Sequence, residues 1–176
     1  MTKREQLLTS PTHILRPATE NDIAAIMVFE RIPEFHTMVG NWSQEEHLQT
    51  MRDPDARYFL ALDTDRQPAG FAILRGIQSP HHNVELKRFV IANPGHGLGQ
   101  RALCAVMDFV FHELHAHRLW LDVFETNDRA YHVYRKAGFR EDGIFREAVF
   151  RDGEFHTLRL MSILDREYFD RPGAAT

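Results

Sequence analysis

A strand, a glycine loop, a helix, a second strand and a second helix follow one another between residues 83 and 139. The apolar run Phe89-Val90-Ile91-Ala92 leads through Pro94-Gly95-His96-Gly97-Leu98-Gly99-Gln100 straight into a helix. Such a unit joins parallel strands by a crossover, which fixes the middle of the sheet. Free N–H groups at a helix start carry a partial positive charge, and glycines let a phosphate approach them closely. A tight strand-to-helix turn needs one or two glycines, whereas Gly95, Gly97 and Gly99 all stand in this loop. The surplus favours contact between backbone and ligand over a purely structural turn.

What such a loop belongs to is bounded by the rest of the chain. With 176 residues, 43% of them hydrophobic and 26% charged, the sequence can bury one sizeable core but not two. One domain over 12–168 is expected, with 1–11 and 169–176 as terminal tails. A net charge of -4 with mixed signs leaves no basic stripe, so nucleic acid is not an expected partner. The single cysteine, Cys104, excludes an internal disulfide framework and reads as an inert core residue. Apolar runs fall short of the roughly 20 residues of a membrane span, and Met1-Thr2-Lys3-Arg4-Glu5 is no signal sequence. No membrane partner and a cytoplasmic setting are expected.

Around the central unit the signals are local and varied. His13-Ile14-Leu15-Arg16 reads as a short strand, and Thr19 or Asn21 as the cap of a helix with Ile23, Ile26, Met27 and Phe29 on its stripe. The segment from Ile32 to Trp42 reads as irregular, and Ser43-Gln44-Glu45-Glu46 as a capping box for a helix through Met51. Tyr58–Leu62 and Ala69–Leu74 form a hairpin around a polar loop, and 84–92 is a third strand. Beyond the glycine loop, Leu103, Val106, Val110 and Leu114 recur at helical spacing. Leu119–Phe124 reads as a fully buried strand. Asn127 and Gly138 bracket a second helix as N-cap and αL terminator, and Asp152-Gly153 is a two-residue hairpin signal. The fold class is therefore mixed α/β (α+β), with adjacent antiparallel strands, one parallel crossover and a closing hairpin.

Gly97-Leu98-Gly99-Gln100-Arg101-Ala102 also satisfies the dinucleotide pattern G-x-G-x-x-A, with Asp122 or Glu125 about 20 residues on. A nicotinamide-dependent oxidoreductase is therefore a rival. It lacks the further βα units of a doubly wound fold, since one helix and a hairpin remain after Phe124. The segment Asn127-Asp128-Arg129-Ala130-Tyr131-His132-Val133-Tyr134-Arg135-Lys136-Ala137-Gly138-Phe139 resembles the N-x-x-A-x-x-x-Y-x-K-x-G-F signature of the GNAT superfamily of N-acetyltransferases. Pro94 to Gly99 aligns with that family's Q/R-x-x-G-x-G/A loop, except that Pro94 replaces the usual Gln or Arg. Glu85-Leu86-Lys87-Arg88, Asn127-Asp128-Arg129-Ala130 and the stretch from Arg146 to Ser162 are most similar to the branch with ribosomal-protein N-terminal and polyamine acetyltransferases.

The resemblance implies a mostly antiparallel central sheet of six to seven strands, about four helices on both faces, and a V-shaped split beside the glycine-loop helix. It implies acetyl-CoA as co-substrate, no metal, and acetyl transfer to a primary amine, a protein N-terminus or a small molecule, by direct attack. Gly95, His96, Gly97, Leu98, Gly99, Gln100 and Arg101 would hold the phosphates, and the backbone of Phe89, Val90 and Ile91 the pantetheine arm. Asn127, Ala130 and Tyr134 share one helix face about two turns long, which the resemblance sets beside that arm.

Chemistry adds roles to this frame. A thiolate leaves when an amine attacks a thioester, and a phenol can protonate it, which makes Tyr134 the candidate general acid. A bulge near Phe89 to Ile91 would free N–H groups for the oxyanion. Glu85, expected on the strand face shared with Lys87 and Phe89, is the candidate base through water, or an ordinary ion-pair partner. Glu30, Glu34 and Asp122 are weaker candidates. Phe35, Trp42, Tyr58 and Phe59 line an acceptor pocket or pack the core. His112, His115 and His117 do not share one helix face and match no metal motif. A non-catalytic acyl-CoA-binding domain is the second rival, and monomer or homodimer is expected.

Overall fold

The computed structural model describes residues 14–92 and 97–171. Pro94, Gly95 and His96, on which three of the expectations above rest, lie outside the described residues. Seven strands make one sheet in the order β1-β2-β3-β4-β5-β7-β6. They are β1 (Leu15–Pro17), β2 (Ala56–Leu62), β3 (Pro68–Arg75), β4 (Asn83–Ile91), β5 (Arg118–Phe124), β6 (Arg140–Arg151) and β7 (Glu154–Leu164). Every pairing is antiparallel except β4 with β5. No doubly wound sheet forms among the described residues, so the dinucleotide rival loses its scaffold.

Six α-helices are described: α1 (Ile23–Glu30), α2 (Pro33–Val39), α3 (Gln44–Arg52), α4 (Leu98–Asp108), α5 (Asp128–Ala137) and α6 (Asp165–Phe169). The expected four are thus exceeded, chiefly because the segment read as irregular contains α2. Its Pro33 begins the helix, where a missing N–H costs nothing, and Gly40 follows its end at φ 77°. Ser43 and Glu46 close the expected capping box on α3. Asn127 caps α5 by accepting the Ala130 N–H at 3.1 Å, and Gly138 ends it at φ 102°. Asp152 and Gly153 both take positive φ, which is the two-residue turn their identities specify.

The helices cover the sheet in two layers. One face carries Phe59, Ala61, Ala72, Leu74, Leu119, Leu121 and Met161 against α4, α5 and Phe139. The other carries Tyr58, Leu60, Phe71 and Ile73 against Ile26 of α1, with Phe29, Phe35 and Trp42 beside them. Phe59 therefore belongs to the opposite layer from Phe35, Trp42 and Tyr58, and the four aromatics do not form one pocket. β5 is not fully buried as expected: Leu119, Leu121 and Val123 are covered, while Asp122 is exposed and Trp120 half-buried. The helices α1 to α3 stop short of that half of the sheet. Cys104 is half-buried, not a core residue.

α4 ends in a π-turn over Phe109–Glu113, closed by Leu114 N–H to the Phe109 carbonyl. Tyr168 of α6 stacks on Phe111, with ring centroids 4.6 Å apart, and its hydroxyl donates to Asp108. Arg171 then donates to the Ala137 carbonyl at 2.8 Å. The packed chain thus runs past the expected domain limit at residue 168 to Arg171. At the far edge, β6 and β7 project as a hairpin that exposes Phe145, Phe150 and Phe155.

Candidate active site

The parallel pair β4–β5 holds for three residue pairs only, Asn83 with Arg118, Val84 with Leu119 and Glu85 with Trp120. Beyond Glu85 the two strands part, while β4 stays paired with β3 as far as Ile91 and β5 with β7 as far as Phe124. A wedge opens between them, and this is the expected split. α4 starts at its β4 lip, and α5 packs against the β5 side.

One residue on β4 has no counterpart on β3. Ile73 pairs with Arg88 and Leu74 with Leu86, so Lys87 is the extra residue of a β-bulge. Side chains alternate across a strand, and an inserted residue reverses the alternation. Val84 and Leu86 join the α4 layer, whereas beyond the bulge Val90 joins the α1 layer and Ile91 the α4 layer. Glu85 and Phe89 consequently point to opposite faces, which corrects the expectation that they share one. Glu85 sits at the apex of the wedge and accepts Lys87 Nζ at 3.2 Å.

The bulge also settles which backbone groups meet the wedge. The Ala92 N–H donates to the Ala69 carbonyl at 2.8 Å, and Val90 pairs with Phe71. Alternation of an antiparallel ladder then turns the backbone of Val90 toward β3 and the N–H groups of Phe89 and Ile91 toward the open side. Val90 is thereby removed from the expected set of backbone donors. Gly70, the partner of Ile91, is needed beside it, because a side chain there would run into the Val90 carbonyl.

Gly97 caps α4 with φ 73°, a left-handed conformation that accounts for a glycine by itself. Gly99 is different. It lies in the first turn of the helix, and a Cβ there would meet Ile91 Cγ1 at an ordinary 3.7 Å. Neither backbone nor packing demands a glycine at 99, although glycine in a helix costs up to about 1 kcal/mol against alanine. Among the described residues no capping side chain bonds the first-turn N–H groups. A helix start with such N–H groups is chemically suited to an anionic, phosphate-bearing ligand. Leu98 is buried and Gln100 half-buried, while Arg101 is exposed on the next turn.

Across the wedge, Tyr134 is 8% exposed, inside the layer with Ala137 and Phe139. Burial, with Asp122 adding to it, holds the phenol well above its ordinary pKa. The group keeps its proton at every physiological pH. Ala130 is half-buried on the same helix face, where it packs against the same layer.

Sequence reasoning missed a buried polar cluster beneath the other face. Glu30 (1% exposed), His47 (0%) and Arg88 (7%) sit within an apolar layer. Arg88 pairs with one Glu30 oxygen, and His47 Nε2 lies 3.2 Å from the other. His47 Nδ1 lies 3.3 Å from the Tyr58 hydroxyl, whose pKa burial pushes up to about 12. Desolvation lowers the pKa of the Arg88 guanidinium, against the pull of Glu30. With both oxygens occupied, Glu30 is not an available base. An apolar helix stripe interrupted by one glutamate was the only trace of the cluster in the sequence.

Residues 13–140 match the family model described as an acetyltransferase (GNAT) domain. A spermidine N(1)-acetyltransferase of Escherichia coli is 31% identical over 121 residues, covering 67% of this chain and 63% of the relative. One from Vibrio cholerae is 26% identical over 129 residues, covering 73% and 75%. Among solved structures, a chimera of Vibrio cholerae spermidine N-acetyltransferase SpeG and hSSAT superposes with a TM-score of 0.80 at 25% identity. That match covers 89% of this chain and 98% of the other.

Proposed function

Since the chain belongs to the GNAT acetyltransferase family, we propose that it transfers the acetyl group of acetyl-CoA to a primary amine, with a polyamine-like acceptor as the first class to test. The carrying observation is the wedge: β4 and β5 part after Glu85, with strand N–H groups turned to the open side and a glycine helix start on one lip and buried Tyr134 beyond the other. That arrangement supplies an edge for an extended amide-bearing arm, a cradle for its phosphates, and a proton donor near its far end.

This chain's residues divide the work. The N–H groups of Gly97, Leu98, Gly99 and Gln100 bind phosphate oxygens, aided by the helix dipole, while the Arg101 N–H is bonded to the Gly97 carbonyl at 3.1 Å and only its exposed side chain can add charge. Phe89 and Ile91 present backbone N–H groups that hydrogen-bond the pantetheine amides and stabilise the carbonyl oxygen as it gains charge. Asn127 holds the start of α5 in place through its cap, and Ala130 leaves room beside the helix. Tyr134 gives its proton to the sulfur as the C–S bond breaks. The burial that holds the phenol's proton also disfavours a free thiolate in the same place, so transfer accompanies bond cleavage.

The attacking amine must be neutral. Glu85, at the wedge apex beside Lys87, serves as base through a water chain for amines of high pKa. The exposed carboxylate of Asp122 lies on the uncovered half of β5, where it can attract a second ammonium of a polyamine. That the two relatives above are named as spermidine N(1)-acetyltransferases supports this acceptor class, and a cytoplasmic setting suits it. Initial rates with spermidine, an α-amino peptide, an amino acid and an aminoglycoside at fixed acetyl-CoA test the reading. The expected result is the highest kcat/KM with spermidine. Binding of NAD in calorimetry with no acetyl-CoA binding would refute it.

A further inference from the structure

The loop between α2 and α3 touches both lips of the wedge. From the β4 side, Arg88 Nη1 donates to the Gly40 carbonyl at 3.2 Å, and its guanidinium lies 3.9 Å over the Trp42 ring. From the β5 side comes Arg151 at the end of β6. It lies 5.2 Å over the ring of Phe124, the last residue of β5, and a Cβ on Gly40 would be 2.9 Å from its Nη2. Gly40 therefore bridges the opening on the face away from α4 and α5, which is the side left for an acceptor.

Glu30 ties this loop to the strand. Its carboxylate takes Arg88, His47 and the Trp42 backbone N–H, the last at 3.3 Å. Arg88 in turn is the residue between bulged Lys87 and Phe89, whose N–H faces the wedge. A buried ion pair is a poor way to gain stability, because desolvation offsets the attraction and apolar replacements of like volume do as well or better. What it does provide is a fixed geometry. The apolar layer around Ile26, Leu60 and Val90 would pack equally against methionine and leucine.

Building on the acetyltransferase reading above, we infer that Glu30, Arg88 and His47 are positioning residues that hold the Gly40–Trp42 loop across the wedge and so set where the acceptor amine sits. The cluster links the acceptor-side roof to the strand bulge that presents the oxyanion donors. Among the described residues its side chains bond to one another, to Tyr58 and to the Gly40–Trp42 loop, and not to the start of α4. Loss of the cluster accordingly affects the acceptor and spares acetyl-CoA.

The test is the double variant Glu30→Leu with Arg88→Met, which removes both charges of the Arg88–Glu30 pair together and takes the acceptor from His47 and from the Trp42 N–H, which releases the loop. Single variants such as E30Q strand a charge and can fail to fold, so they do not decide the matter. Three readings are taken on the full chain: hydrogen exchange of residues 40–42, acetyl-CoA affinity by calorimetry, and the acceptor KM and kcat. The expected result is faster exchange in the loop and an acceptor kcat/KM lower by about ten- to a hundredfold. Most of that loss falls in KM, with acetyl-CoA affinity within about twofold. Unchanged exchange, an unmoved acceptor KM, or an equal loss of acetyl-CoA affinity would each overturn the positioning role. No amine-dependent turnover by the unmodified protein would instead overturn the acetyltransferase reading itself, so the two failures are distinguishable.

Discussion

Replacing Gly99 with alanine separates what the fold needs from what a ligand needs. A methyl at this position meets Ile91 Cγ1 at 3.7 Å, an ordinary van der Waals contact, and no left-handed φ has to be sustained. Alanine improves helix propensity and narrows the unfolded ensemble, together worth about 0.5–1 kcal/mol. For a chain of this length that raises the melting temperature by about 1–4 °C. On the acetyl-CoA reading, the same methyl takes up room at the helix start and pushes a phosphate beyond hydrogen-bonding range of at least one donor. A hydrogen bond to a charged group contributes about 1.5–3 kcal/mol, so acetyl-CoA affinity falls by about ten- to a hundredfold. Thermal unfolding of the free protein and calorimetry with acetyl-CoA measure the two effects separately. Gly97→Ala is the contrast, since its φ of 73° makes it destabilise the free protein as well. The reasoning is refuted if Gly99→Ala binds acetyl-CoA as tightly as the unmodified chain, or if it melts at a lower temperature.

Other perturbations probe separate parts of the structure. Tyr134→Phe lowers kcat by about a hundredfold or more, measured by steady-state thiol release, while acetyl-CoA affinity stays within about twofold. Because burial raises the Tyr134 pKa, the kcat/KM profile should climb with pH toward the amine's own pKa and show no downturn below about pH 10; a falling limb near neutrality would remove Tyr134 as the acid. Asp22 is held at about 2 by Arg16 and by the Thr19 backbone and hydroxyl. A depressed folded-state pKa gives stability that is present above the unfolded value near 3.9 and lost as pH falls toward 2. Asp22→Asn should therefore cost roughly 1–2 kcal/mol at pH 7, allowing for the exposure of Arg16, and the difference should shrink in urea titrations as pH falls through about 2.

The elements that could be read from the sequence are those whose signals are local. Asn127 and Gly138 punctuate α5 because a cap and an αL stop act within one turn, and Asp152-Gly153 makes its turn from two φ preferences alone. The crossover, and with it the split, follows from a strand entering a helix through glycines. Pro33 and Gly40 carried the start and stop of α2, yet read as loop residues because the same types serve both purposes. The bulge at Lys87 left no local trace, since it is defined by a missing partner on β3. It reversed the side-chain faces beyond it, and Glu85 and Phe89 were misplaced relative to each other for that reason. Glu30, His47, Tyr58 and Arg88 come from four separate elements, so their meeting is a property of the tertiary fold.

The most direct test of the central claim is the stoichiometry of thiol release from acetyl-CoA with and without spermidine, with the amine product identified by mass spectrometry. The account predicts one acetylated amine for each thiol released, little release without amine, and a matching collapse of both in Tyr134→Phe. Tight acetyl-CoA binding with no amine-dependent release, across spermidine, peptide, amino-acid and aminoglycoside acceptors, would contradict it and leave a binding domain in its place.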